Sequence, residues 1–327
     1  MIKPKRRIIM QRASIMILLV SMTSVGFTVI ADSPQFVFIE DEAKGTLTLH
    51  DGQVEVLAYR FSDQLKQGVD PKYTRSCYIH PLYSLDGTVL TADFPKDHLH
   101  HHGVFWTWPV VKTRGQDTQT WHPDTPSLRQ HFARWLKQEV KNGAATLSVE
   151  NVWKLDDSEV VAKETVTMNV LPAADTGRAI DLELVFQAVG GPLELQGSPD
   201  QNKGYGGLCI RGALMFKGAA LTTDQGPLKK DSTNMPFRWA DMSTEKFGIA
   251  IFVSPNHPGF PTTWLIRNSY AGILNVSWPG LKAAVLQPGK PAILSYRIYI
   301  HRGNTATGRV QQAYEKYLSL GQKTRSE

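Results

Sequence analysis

The residues best able to do chemistry are gathered in Asp97-His98-Leu99-His100-His101-His102-Gly103-Val104-Phe105-Trp106-Thr107-Trp108, where four of the chain's ten histidines fall within five positions. Imidazole titrates near neutrality, so His98, His100 or His101 with Asp97 can supply an acid and a base. Neutral imidazole also ligates Zn, Fe, Mn or Cu. If the segment is extended, its side chains alternate between two faces. His98, His100, His102, Trp106 and Trp108 then share one face, and Asp97, Leu99, His101 and Phe105 the other. On that reading His98 and His100, at i and i+2, converge at a spacing suited to one divalent metal ion. A carboxylate or third histidine from elsewhere would complete the site. His101, opposite, either orients a ligating ring or carries a proton separately. Trp106 and Trp108 either fill the core or floor a groove for a sugar-like ligand. A polar loop bearing surface histidines is the plain alternative.

Further candidates come from a resemblance. Cys77-Tyr-Ile-His-Pro-Leu-Tyr83-Ser-Leu-Asp86-Gly87-Thr88 is followed by Asp97-His-Leu-His-His101. Then come Lys203-Gly-Tyr-Gly-Gly207 with Arg211, Arg238-Trp239-Ala-Asp241, and Asn256-His-Pro-Gly-Phe-Pro261 with Trp264 and Arg267. These blocks, spread from Cys77 to Trp278, resemble an uncharacterised bacterial family often labelled the PmoA family, or methane oxygenase PmoA. The resemblance implies a large β-sandwich like that of sugar mutarotases and a setting in polysaccharide-degrading bacteria. It carries Asp97, His98, His100, His101, Lys203, Arg211, Trp239, Asp241 and Arg267 as site residues, with Asn256 and His257 in the last block. Leu99, His102, His257 and Leu265 stand where the family pattern often differs. Lys203 and Arg211 would hold an anionic or hydroxyl-rich substrate. Alternatively Arg211 and Arg267 are structural, paired with Asp241 or Asp200.

The elements that must position these residues read as antiparallel strands. Ile180, Leu182, Leu184, Phe186 and Ala188 alternate with Asp181, Glu183 and Gln187, the period of a half-buried strand. The same period runs through residues 53–61, 145–154, 160–171, 208–216, 247–254 and 292–301. Asp51-Gly52, Asp86-Gly87 and Asn142-Gly143 fall between such runs and predict turns. Val310, Ala313, Tyr314, Tyr317 and Leu318 follow the helical period, and this is the one helix the pattern supports. There is no strand–helix–strand rhythm, P-loop or dinucleotide fingerprint. About fifteen strands and a terminal helix predict a mainly β protein, a large antiparallel β-sandwich in a single domain over 32–327.

The first 31 residues read differently. A basic stretch with Lys3, Lys5, Arg6, Arg7 and Arg12 precedes an apolar run ending at Val29-Ile30-Ala31. This is the pattern of a signal peptide, with cleavage expected after Ala31 and a periplasmic or secreted product. Ser21, Thr23, Ser24 and Thr28 make the run a poor membrane anchor. The segment carries five basic residues and no acid, and the whole chain has 36 Lys and Arg against 30 Asp and Glu. The remainder is nearly neutral, at 31 basic to 30 acidic residues, so nucleic acid is not an expected partner. Two cysteines, Cys77 and Cys209, exclude a disulfide scaffold, and they can be either paired or free.

Three functions fit this sequence. The first is an exported carbohydrate-active enzyme, a lyase, hydrolase or epimerase acting through the His/Asp cluster, with or without a divalent metal. A two-carboxylate glycosidase is only one branch of it, because no carboxylate pair lies beside the cluster. The second is a non-catalytic periplasmic protein that binds a glycan or a metal ion. The third is the metal-dependent oxygenase of the family label. A membrane-embedded oxygenase subunit needs several apolar spans of about twenty residues, and this chain has one such run.

Overall fold

The structure, a computed structural model, describes residues 35–123, 127–269 and 272–323. The expected signal segment and its cleavage point lie outside the described residues. The body is mainly β, with twenty-two strands and one α-helix among the described residues.

All strand pairs are antiparallel. One nine-stranded sheet runs, edge to edge, through Phe36–Asp41, Thr46–Asp51, Val54–Arg60, Tyr78–Leu82, Val104–Thr107, Gly207–Arg211, Ile273–Ser277, Thr263–Arg267 and Ser232–Pro236. The second runs through Gly226–Pro227, Ala220–Thr223, Trp239–Ser243, Phe247–Val253, Ala292–Arg302, Gly177–Ala188, Glu159–Val170, Ala144–Leu155 and Leu128–Lys141. A four-stranded sheet joins Ala284–Leu286, Leu193–Gln196, Val110–Thr113 and Gln116–Thr118. The extra strands beyond the expected fifteen are short. Gly226–Pro227 and Gln116–Thr118 span too few residues for alternation to show.

Alternation explains the packing. In Gly177–Ala188 the buried Leu182, Leu184 and Phe186 point to the core, while Glu183 and Gln187 are exposed. They meet Val104, Trp106, Leu208, Ile210, Leu274 and Val276 of the first sheet in one apolar core. The turns expected at residues 51–52, 86–87 and 142–143 are present, and Gly52, Gly87 and Gly143 all have positive φ. The expected run 208–216 breaks after Arg211 and ends in a single 3-10 turn, Leu214–Phe216.

The helix Val310–Lys323 packs on the far side of the second sheet. Val310 and Tyr314 bury against Trp239, Ala250, Phe252 and Tyr299. Arg297 sits over the Tyr317 ring at 4.6 Å, its guanidinium also held by Asp181 at 2.5 and 2.8 Å. A smaller apolar cluster, Tyr78, Phe105, Trp121, Cys209 and Ile273, lies apart from the inter-sheet core. It underlies the histidine segment.

Candidate active-site cleft

The histidine segment is a folded loop, not a strand. His98 N donates to Pro95 O at 3.0 Å, and His101 N to His98 O at 2.9 Å. Phe94, with φ of +45°, donates its N–H to His101 O at 3.2 Å. Gly103 lets this loop lie on the neighbouring strand, since a Cβ there would meet Ile79 O at 2.2 Å. The sorting of side chains by alternation therefore fails. His98 stacks on His101 with ring centres 4.7 Å apart and planes within 7°. His100 stands edge-on to both, at 5.6 and 4.5 Å. The expected closeness of His98 and His100 holds, but the expected separation of His101 from them does not.

Arg211, from the end of the strand Gly207–Arg211, ties this cluster together. Its Nη2 donates to both Asp97 oxygens, at 2.9 and 2.7 Å, and its Nη1 donates to His101 Nδ1 at 3.2 Å. Guanidinium cannot accept, so His101 Nδ1 is unprotonated and its proton lies on Nε2. The ion-pair partner of Arg211 is thus Asp97, not Asp241 or Asp200. Burial would raise the Asp97 carboxyl, but bonds from Arg211 and His98 outweigh it and hold the group below the ordinary value. Burial, with neighbouring imidazoles and Arg211, pulls His101 well below its usual range and His100 down to about 3. Both rings are neutral at physiological pH.

His102 turns the other way. It is fully buried among Tyr78, Phe94 and Phe105, with its Nδ1 2.7 Å from Asp93 Oδ1. Tyr78 donates its hydroxyl to the other Asp93 oxygen at 2.8 Å. Burial alone would raise Asp93, but the hydrogen bond and charge of His102 outweigh it, with help from His80 and Tyr78. An ionised Asp93 accepts only, so His102 carries its proton on Nδ1 and keeps a lone pair on Nε2. Burial lowers His102, and Asp93 partly offsets this. A carboxylate that fixes the tautomer of an imidazole is the arrangement a general base requires.

His100 and His102 both line a cleft of about 340 Å³. Trp121, His122, Gln130 and Arg75 also line it. Trp121 packs on Phe105, His101 and Tyr205, which brings the loop at residues 203–207 close by. The His122 ring centre is 4.1 Å from that of His100. Beneath the cleft, Gln130 Nε2 donates to Glu164, which is fully buried and also accepts from Asn151 and Trp153 at 2.8 and 2.7 Å. Burial raises the Glu164 carboxyl despite these donors.

The structure thus gathers Asp97, His98, His100, His101 and Arg211. Arg267 faces the same way from two strands off, since both it and Arg211 lie in register with Ile273. The other expected site residues lie elsewhere. Trp106 and Trp108 are in the inter-sheet core, because the strand beginning at Val104 turns Phe105 and not Trp106 toward the loop. Lys203 sits on the loop that Tyr205 brings near the cleft, but its ammonium pairs with Asp200 at 2.8 Å. Trp239 lies under the helix. Asp241 is wholly buried, accepting from His301 and Ser243 at 2.8 Å and from Thr305 at 2.5 Å. His257 is buried, its Nδ1–H on Pro258 O and its Nε2 taking the Tyr296 hydroxyl, both at 2.8 Å. The exposed Asn256 sits on that same turn, and none of residues 256–267 is among the described residues that line the cleft.

Sequence reasoning missed Asp93, Arg75, Trp121, His122 and Gln130, and assigned His102 no role of its own. Trp121-His122 was a legible signal, a second aromatic–imidazole pair. Asp93 lies four positions before the cluster and became visible only once the loop closed. Gln130 looks like any polar strand position. Cys77 and Cys209 are free and buried, Cys77 in the inter-sheet core and Cys209 in the cluster beneath the loop.

Among the described residues no group of three or more His, Cys, Asp or Glu is arranged to hold a metal ion. No described helix is long and apolar enough to cross a membrane. Among solved structures, galactose 1-epimerase from Lactobacillus acidophilus NCFM is 10% identical, covering 82% of this chain and 95% of its own, with a TM-score of 0.38. The GalM/aldose epimerase homologue from C. elegans is 8% identical, covering 83% and 100%, with a TM-score of 0.33. No curated protein matches the chain. A family model matches residues 46–315, most of the chain and all of the cleft, and the protein belongs to that family, the family of unknown function DUF6807.

Proposed function

We propose that the cleft is the active site of a carbohydrate-active enzyme working by proton transfer, in the manner of an epimerase or a lyase. The observation that carries this reading is the Asp93–His102 pair, a buried imidazole with a fixed tautomer lining a cleft. His102 would take the proton through Nε2. Asp93 would hold the ring and stabilise the imidazolium as it forms. His100, neutral and lining the same cleft, is the second proton carrier. Trp121 and Tyr73 offer aromatic faces, and Gln119 offers an amide, the mixture that seats a sugar ring and bonds its hydroxyls. Asp63 is the one carboxylate among the described lining residues, so the two-carboxylate route of ordinary glycosidases is not the favoured branch. The enzyme would act outside the cytoplasm, its mature chain beginning at Asp32.

The test is to incubate purified protein with a panel of mono- and oligosaccharides in D₂O and to read product and deuterium by mass spectrometry and NMR. The expected result is turnover with solvent deuterium in the product, abolished in His102→Asn. A sugar that raises the melting temperature yet is never converted would replace the enzyme with a binding protein. Intact mass of the exported protein checks cleavage at Ala31.

A further inference from the structure

The cleft holds a cation that the proton-transfer reading does not use. Arg75 lies where the chain enters the first sheet, two residues before Cys77, whose φ of +62° turns the backbone sharply. Its Nη1 donates to Thr120 O at 2.8 Å and its Nη2 to Gln130 Oε1 at 2.6 Å. Both acceptors are neutral. The Nε–H is buried and has no hydrogen-bond partner among the described residues. No ion pair to Arg75 forms among them either. Gln130 cannot rotate to relieve this, because its Nε2 is committed to Glu164 and to Trp106 O, both at 3.3 Å. The buried Glu164 acts on Arg75 only across Gln130, and no carboxylate touches the guanidinium. A largely desolvated guanidinium without a contacting carboxylate is stabilised by an arriving anion. The rest of the lining leans the same way: Lys72 and Arg129 accompany Arg75 against Asp63, although Arg129 is itself paired with Asp157, which leaves Lys72 as the second cation. Lys72 is more than half exposed and only loosely tied, 3.9 Å from Asp70.

We propose that Arg75 is the anion-recognition residue of the cleft, and that its ligand is an acidic saccharide whose oxyanion, a uronate carboxylate or a sulfate ester, docks on this guanidinium. The inference rests on the reading of the cleft as a sugar site and names the substrate class. The planar fork of Arg75 keeps three N–H donors after serving Thr120 and Gln130, enough to hold an oxyanion through two bonds. Lys72 adds a point charge at the mouth, where it steers rather than orients.

The experiment compares dissociation constants by calorimetry for matched oligosaccharides of galacturonate, 6-sulfogalactose and galactose, on wild type, Arg75→Gln and Arg75→Lys. Wild type should bind at least one acidic series about tenfold to hundredfold more tightly than the neutral one, the range of a charge-assisted hydrogen bond. That preference should fall as salt is raised. Arg75→Gln should erase the preference, bringing the acidic sugar's affinity down to that of the neutral sugar on the same variant, while Arg75→Lys keeps part of it. The carboxylate and sulfate arms tell which oxyanion is meant. Equal binding of neutral and acidic sugars, a preference that survives Arg75→Gln, or no binding of any acidic sugar overturns the proposal. If Arg75→Gln does not fold, the wild-type preference and its salt dependence still decide. Uronate binding that needs Arg75 without any turnover would sink the catalytic reading and leave this one standing. Turnover of neutral sugars alone would do the reverse.

Discussion

A histidine is useful to chemistry when something else decides where its proton sits, and the loop offers two such rings. Arg211 forces the His101 proton onto Nε2, and Asp93 holds the His102 proton on Nδ1. The two settings differ in consequence. His101 spends its lone pair on Arg211 and is thereby braced, while His102 keeps its own on a cleft-lining ring. Removing His102 should therefore lower kcat by about 10² to 10⁴, the usual contribution of a positioned acid or base. Asp93→Asn should lower it less and also move the pH profile. The Asp93 charge favours the imidazolium, so its loss drops the His102 pKa and shifts the acidic limb of kcat/KM to lower pH. A carboxylate with a merely structural role would change rate or yield without moving that limb, which a pH–rate series of the folded variant would show.

At the scale of the element, what was legible followed from repetition. Alternation in Gly177–Ala188 and the 3.6-residue period of the last helix each repeat over ten or more positions, so burial follows from type alone. The site did not repeat. Its loop runs from Phe94 to Gly103, closed by three backbone bonds, and nothing in the six residues from Asp97 to His102 distinguishes a strand from a turn. A positive φ at Phe94 and a glycine pressed on Ile79 O are features of contact, not of pattern. The same reasoning separates Trp239 from the site. It packs with Phe252, Tyr299 and Tyr314 under the helix. Trp239→Ala should cost about 3 to 5 kcal/mol of stability, as for other buried aromatics. The kcat/KM of the folded fraction should be unchanged. Denaturant melts beside kinetics would check this, and a stable variant with a raised KM would return Trp239 to the site.

Across the whole molecule, the histidines set an acid limit on stability. Burial is the first cause that lowers each of five rings: His80 and His257 to about 4, His100 to about 3, and His101 and His102 in the same direction. In the unfolded chain each returns to its ordinary value near 6.5. Below pH 6.5 the unfolded state therefore binds protons that the native state refuses. The stability these groups contribute is complete above about pH 6.5 and is lost as pH falls toward 4 and 3. One such group gives a slope of about 1.4 kcal/mol per pH unit in that window, and several acting together exceed it. Asp93 and Asp97 are held low as well and add loss of the same sign, but only below their ordinary value of 3.8. The interval from pH 6 to 4.5 is thus governed by the imidazoles, with the raised Glu164 carboxyl opposing them as it takes up its proton first in the native state. Urea melts across it should show the free energy of unfolding falling by more than one proton's worth per unit. His257→Gln, outside the described lining of the cleft and with its ring bonded to Pro258 O and the Tyr296 hydroxyl, should flatten that slope by up to one proton while sparing sugar binding. A slope of less than one proton would mean that the rings are not held neutral, and the assignment of His102 as a base ready at neutral pH would fall with it.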